Sequence, residues 1–211
     1  MRVELFLASS NRGKLREFRA LAAERTGNVE IDLLPHFSEL AVFPEDAPTF
    51  AENAAGKALH YSRFTNEIVF ADDSGLVVTS LGGAPGVYSA RYAGENATDQ
   101  ERNAKLFGAL HGKTGDARSA KFVCVIAAAK QRRMLAVVSG CVEGVIANEP
   151  RGTNGFGYDP LFYFPLLKKT FAELAEAEKN QHSHRGKAFR RLHDALFLTK
   201  TATETCTRKS L

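Results

Sequence analysis

Two consecutive carboxylates, Asp72 and Asp73, follow the apolar run from Ile68 to Ala71 and lead into Ser74 and Gly75. Adjacent carboxylates repel, and a hard cation is their usual compensation. Mg2+ takes oxygen ligands, accepts one or two protein carboxylates and shares its remaining positions with water and phosphate. An Asx-type turn, with both acids bonded only to backbone amides, is the structural alternative. The end of an apolar strand is also where open α/β sheets tend to place their ligands.

Ser9, Ser10, Asn11, Arg12, Gly13 and Lys14 join another apolar run, Val3–Leu7, to helically spaced Leu15, Phe18, Leu21 and Ala22. A strand–loop–helix junction offers an anion free N–H groups and the positive end of the helix dipole. Lys14 adds a charge-assisted contact, yet the Walker spacing of glycines and Lys-Ser/Thr is absent. A helix cap with a solvated lysine explains these residues equally well.

The segment Gly155, Phe156, Gly157, Tyr158, Asp159 and Pro160 sets two glycines beside two aromatics and a carboxylate. An exposed ring there would stack on a base, worth about 1–3 kcal/mol, whereas a packed turn would place both rings in the core. Lys179 and then Ser183, His184, Arg185 and Gly186 follow. An arginine fork has donors and no acceptor, so it suits a 6-oxo purine and finds no partner in adenine's 6-amino group. His182 and His184 resemble a metal pair, but no further His, Cys or carboxylate stands at ligand spacing.

The elements that must position these groups alternate first and then cluster as strands. Ile31–Leu34 reads as a second strand and residues 35–48, with three prolines, as a long loop. Thr49 with Glu52, and Thr98 with Glu101, have capping-box spacing ahead of helices over 50–63 and up to Leu110. Residues 119–129 and 135–146 read as a hairpin around 130–133, and residues 161–164 as another strand. Thr170 with Glu173 opens a short helix, and 184–198 forms a last amphipathic one. The strand stops at Asp72 and a β pattern resumes at Leu76. An α/β fold with a mixed sheet flanked by helices follows, over one domain at 1–198, with a frayed tail at 199–211.

A chain of 211 residues with 44% hydrophobic and 25% charged residues has ordinary globular composition, which excludes a disordered tail protein or a fibre. The net charge of +4 is modest and dispersed, without the basic–aromatic stripe of a nucleic-acid binder. A polyanionic small molecule fits it better. Cys124, Cys141 and Cys206 form neither a zinc spacing nor a disulfide framework, so a reducing cytoplasm is the expected compartment, and no run is long enough to span a membrane.

Taken together and in order, these segments resemble the ITPase family, the inosine/xanthosine triphosphate pyrophosphatases, from about Val3 to Leu198. The resemblance rests on Ser9, Asn11 and Lys14; on Thr49, Phe50, Glu52, Asn53 and Ala54 with Lys57; and on Ala71 through Leu76. It continues through Leu81-Gly-Gly-Ala-Pro-Gly-x-Tyr-Ser-Ala-Arg-Tyr92, Gly155 to Pro160, and Glu178-Lys179 with Ser183 to Gly186. It implies a two-lobed, Maf-like homodimer with its active site in the cleft between lobes. The implied reaction is Mg2+-dependent hydrolysis of ITP, dITP and XTP to monophosphate and pyrophosphate, which keeps these purines out of DNA and RNA.

By the same resemblance, Ser9, Ser10, Asn11, Arg12, Gly13, Lys14 and Ser74 hold phosphate or sugar. Phe156, Gly157, Tyr158, Asp159, Lys179, His184 and Arg185 surround the base. Glu45 and Asp73 are the metal carboxylates, and Asp73 is also the proton acceptor. A carboxylate on a metal is a poorer base, so Asp72 or a metal-bound hydroxide is the alternative acceptor. The chain departs from the family pattern at Ser10, where glycine is usual, and at Pro44-Glu45-Asp46-Ala47-Pro48 in place of Glu-Glu-Thr-Gly, so Glu45 over Asp46 is an alignment choice. A nucleotide sensor without turnover is a rival reading. It would not need Asp72, Asp73 and Glu45 so close to phosphate. An RNA-binding protein is the other rival, and it lacks its basic stripe.

Overall fold

Short apolar runs alternating with capped amphipathic segments give β1 (Val3–Leu7), α1 (Arg12–Ala23), β2 (Val29–Leu33), α2 (Phe50–Tyr61), β3 (Ile68–Val78) and α3 (Asp99–Ala109). The chain continues through β4 (Ser119–Lys130), β5 (Arg133–Ile146), β6 (Phe162–Phe164), β7 (Lys169–Thr170), α4 (Glu176–His182) and α5 (His184–His193). The computed structural model describes residues 3–25 and 29–198, so the expected frayed tail, with Cys206, lies outside them. The described strands form one seven-stranded sheet in the order β2-β1-β3-β4-β5-β6-β7. It is mixed, as expected: β1 pairs in parallel with β2 and β3, while β6 pairs antiparallel with β5 and β7.

Two compact units divide the chain. One comprises Met1–Asp73, Val125–Gly140 and Gly186–Leu211, the other Ser74–Cys124 and Cys141–Arg185.

In the first unit the parallel pairs require helical crossovers, which α1 and α2 supply. Asn11 caps α1 by accepting the Lys14 N–H at 3.0 Å. The helix then buries Phe18 against Phe70, with centroids 5.1 Å apart, and against Phe189 of α5 at 5.7 Å. Each fully buried phenylalanine stabilises this layer by about 1.5–3 kcal/mol. β4 turns into β5 at Gln131 and Arg132, both at positive φ as a two-residue hairpin turn requires.

The long loop after β2 contains a 3-10 turn, Phe37–Glu39, and then lies along α2. Phe43 packs so closely on Gly56 that a Cβ there would stand 2.4 Å from the ring. The Phe43 N–H donates to the Tyr61 hydroxyl at 3.2 Å, and His60 Nε2 meets the Ala41 carbonyl at 2.8 Å. Glycine at position 56 is therefore what lets the loop dock.

The second unit closes around Leu76, Leu106, Phe122, Ile146, Phe162 and Phe171, all buried. Arg118 ties its edges together: Nε donates to Ile146 O at 2.7 Å, Nη2 to Ala147 O at 2.6 Å, and Nη1 to Leu110 O and Lys113 O at 3.2 and 3.3 Å. Backbone dipoles thus compensate a buried guanidinium.

Several boundaries differ from the sequence reading. The largest correction concerns β3, which does not stop at Asp72 but runs unbroken from Ile68 to Val78. Successive side chains of a strand point to opposite faces, so the two carboxylates separate and meet different partners without a turn. The Thr170–Glu173 capping box heads a 3-10 turn, and α4 begins only at Glu176. The last helix is α-helical to His193 and continues as a π-helix over Asp194–Leu198.

Candidate active site

Asp72 and Asp73 are both buried, and each faces a different helix. Asp72 forms an ion pair with Lys14 of α1 at 2.9 Å, and its side chain has no exposed surface. Asp73 Oδ2 accepts a hydrogen bond from Asn53 Nδ2 of α2 at 2.9 Å. The same Asn53 exchanges hydrogen bonds with the backbone of Ala47, accepting its N–H at 3.0 Å and donating to its carbonyl at 3.3 Å. One turn on, Lys57 reaches Glu45 Oε1 at 2.6 Å. The loop carrying Glu45 is thereby fixed to the helix that also holds Asp73.

Burial pushes the Asp73 carboxyl from its ordinary 3.8 up to about 6. The Asn53 hydrogen bond opposes the rise, Glu45 adds to it by repulsion, Lys14 pulls back and Asp72 adds a little more. A carboxylate held in water-poor surroundings beside a second negative charge calls for a cation. The oxygen donors Asp73 and Glu45 fit a hard divalent ion such as Mg2+. No group of three or more His, Cys, Asp or Glu among the described residues clusters tightly enough to hold a metal by itself. Two carboxylates, with phosphate and water completing the shell, is the pattern Mg2+ adopts at phosphate sites.

The Ser9–Lys14 loop leads into α1 as expected. Ser9 is buried and its Oγ accepts the Asn11 N–H at 3.1 Å, while Ser10, Asn11 and Arg12 are exposed and Gly13 is partly so. The helix-cap reading holds, since Asn11 Oδ1 is the cap, and the outer residues Ser10 and Arg12 face solvent.

In the second unit Asp159 is the organising acceptor. Its Oδ2 takes the Phe156 N–H at 2.9 Å and Lys179 Nζ at 2.6 Å. Gly155, at φ +76, must be glycine, because a Cβ would fall 2.0 Å from that same oxygen. The Phe156 ring is half buried, with Lys179 Nζ 5.0 Å and the Arg185 guanidinium 5.3 Å from its centroid. Arg185 Nη2 also donates to Ser74 Oγ at 3.1 Å. Tyr158 instead lies in the core: its hydroxyl donates to Ser89 O at 2.9 Å, and burial pushes its phenol well above the ordinary value. His184 is buried and stacks on Phe122 at 4.6 Å, whereas His182 packs near Phe164 at 5.6 Å. The two histidines are therefore separately engaged.

Residues 5–195 match the Ham1 family. The chain belongs to the Ham1 family. Among its relatives, the dITP/XTP pyrophosphatase of Geobacillus kaustophilus is 50% identical over 191 residues, covering 90% of this chain and 93% of that protein. The dITP/XTP pyrophosphatase of Desulforamulus reducens is 48% identical over 195 residues, covering 92% and 96%. A solved HAM1 protein from Coxiella burnetii superposes with a TM-score of 0.81 at 44% identity, covering 94% of this chain and 99% of that one.

Sequence reasoning on this Ham1 chain did not single out Asn53 and Lys57 as site residues, although both stand in a motif it quoted. Their spacing of four puts them on one helical face with Thr49, and that periodicity was the available signal.

The raised Asp73 carboxyl makes a testable statement about stability. Folded and unfolded chains both hold this proton well below pH 3.8. As pH rises from there towards the folded value near 6, the unfolded chain ionises first and is favoured. In Mg2+-free buffer, Asp73→Asn should therefore be more stable than wild type at pH 7.5, by up to about 3 kcal/mol. The difference should shrink towards pH 4. Urea midpoints across that range test it, and a difference independent of pH would show that ionisation of Asp73 is not its source.

Proposed function

We propose that this chain is a Mg2+-dependent pyrophosphohydrolase that converts ITP, dITP and XTP to the monophosphate and pyrophosphate, and so clears these purines from the cytoplasmic nucleotide pool. The observation that carries the reading is the Asp73 carboxylate, buried, bonded to Asn53 and repelled by Glu45. The relatives named dITP/XTP pyrophosphatase support the choice of substrate. No helix among the described residues is long and apolar enough to cross a membrane.

In this reading Glu45 and Asp73 hold the cation. A divalent ion held by these two carboxylates would supply charge withdrawal at the phosphate oxygens and would lower the pKa of a nearby water. Ser9, Ser10, Asn11, Arg12, Gly13 and Lys14 bind the phosphates through loop amides and the Lys14 ammonium. Asp73 orients the attacking water and takes its proton, since Asp72 is fully enclosed against Lys14 and cannot reach solvent. The water oxygen bonds to the α-phosphorus as the bond to the α–β bridging oxygen breaks, and pyrophosphate leaves.

Phe156 stacks on the purine, while Lys179 and Arg185 donate to its oxygens. Gly157 shapes the loop around the base. Tyr158 and His184 act from behind, as core anchors of the residues that touch the base. Ser74, already bonded to Arg185, sets the direction of that guanidinium.

Pyrophosphate release from ITP with Mg2+ tests the activity. Asp73→Asn should remain folded and lose nearly all of it, whereas substantial turnover by the folded variant would remove Asp73 from the centre of the reaction. Selectivity tests the base assignment: Arg185→Ala should lower kcat/KM for ITP and XTP about 10–100-fold, the cost of a charged hydrogen bond, and much less for ATP. Equal losses for all nucleotides would place Arg185 on the shared phosphate or sugar. From the family resemblance we infer a homodimer as well, and a monomer mass by light scattering at working concentration would refute it.

A further inference from the structure

Asp99 and Asn103 stand one helical turn apart on α3 and grip a single residue of the Phe156 loop. Asp99 Oδ2 accepts the Gly157 N–H at 2.7 Å, and Asn103 Nδ2 donates to the Gly157 carbonyl at 2.9 Å. Both backbone polar groups of Gly157 are thus satisfied by side chains of one helix face. No strand or helix could do this, because Gly157 sits alone at φ +65.

The grip is itself braced. Arg102 pairs with Asp99 Oδ1 and also donates to the carbonyls of Ala90 and Ala97, so the carboxylate's direction is set from its far oxygen. On the other side of Phe156, its own N–H is held by Asp159. The peptide groups flanking Phe156 are therefore fixed from two directions, by Asp159 before it and by α3 after it. Its ring is only half buried, so packing alone does not fix where it points. Backbone anchorage must supply that direction.

We infer that Asp99 and Asn103 are positioning residues that set the purine selectivity of this site, by holding the Phe156–Gly157 segment where Phe156, Lys179 and Arg185 meet the base. The inference rests on the proposed function for its substrate, and on the two hydrogen bonds for its geometry. A merely structural role is the competing account, because a carboxylate in the first turn of α3 also favours the helix dipole. Asp99→Asn keeps the shape and an acceptor oxygen but loses the charge. Asp99→Ala loses the acceptor altogether.

Two readouts on the full chain separate these accounts: hydrogen exchange of the Gly157 amide by NMR without nucleotide, and kcat/KM for ITP against ATP. Asp99→Ala should speed Gly157 exchange about tenfold or more and lower kcat/KM for ITP by a similar factor, with ATP changed less than twofold. Asp99→Asn should restore most of both. Asn103→Asp, which keeps the shape but turns an acceptor on the Gly157 carbonyl, should narrow the ITP/ATP ratio in the same way, and it serves as the decisive variant if Asp99→Ala does not fold. Variants that shift the thermal midpoint but leave Gly157 exchange and the ITP/ATP ratio at wild-type values would overturn the inference. The exchange readout needs no substrate: a wild-type chain that releases no pyrophosphate from ITP fails the proposed function, while Gly157 exchange indifferent to Asp99→Ala fails the clamp.

Discussion

Two consecutive carboxylates occupy the middle of a buried strand, and charge in such a place must be compensated or remain protonated. The pleat of β3 decides how. It sends Asp72 to α1 and Asp73 to α2, so each helix must carry a polar group into the sheet at a defined turn: Lys14 in the first, Asn53 in the second. Compensation is unequal. Asp72 receives a full positive charge, whereas Asp73 receives one amide hydrogen bond; burial, with a smaller contribution from Glu45 repulsion, outweighs that bond and holds its proton to about pH 6. The fold leaves one carboxylate neutralised and its neighbour short of positive charge. That imbalance is what supports the cation proposed at Asp73.

The same helix that holds Asp73 also sets the reach of Glu45. Along α2, Asn53, Gly56, Lys57, His60 and Tyr61 each engage the loop before it, through two backbone bonds, a ring contact, an ion pair, a carbonyl contact and a hydroxyl. The sixteen-residue connection between β2 and α2, with its three prolines, is thereby given a single path. The second unit solves a different problem by a similar economy. There Asp159 orders a glycine-bearing loop by accepting from the backbone and from Lys179 at one oxygen, and the Arg185 guanidinium lies 5.3 Å from the half-buried Phe156 ring.

Legibility in the sequence followed the range of the interaction. Thr49 and Thr98 announce the starts of α2 and α3 because a cap bonds within its own first turn. The β3 strand was misread at its centre, since Asp-Asp-Ser-Gly has the composition of a turn and only Lys14 and Asn53, far away in sequence, make it extended. The motif residues Asp73, Lys179 and Arg185 were visible as types and order. What each touches was not. Asp99 is the clearest case: locally it is a first-turn acid after a cap, and its bond to Gly157 spans 58 residues with no periodic pattern to betray it. Tyr158 was ambiguous for the opposite reason, since one aromatic reads alike as a base platform and as a core anchor until its hydroxyl is seen on Ser89.

The Lys14–Asp72 pair fixes the start of α1 against β3. Lys14 is held at both ends: its backbone N–H by the Asn11 side chain, its ammonium by Asp72. An ammonium carries three donors, and the one directed at Asp72 already orders the long side chain, so that under the proposed function the others meet an incoming phosphate. Ordering such a side chain costs up to about 2 kcal/mol, a cost met on folding and not again on binding. The price is a weaker field, because the pair is neutral and attracts a distant anion less than a lone lysine would. In the proposed function Asp72 thus acts on phosphate only through Lys14, exchanging long-range attraction for fixed direction, and proton chemistry falls to the less compensated Asp73 beside it.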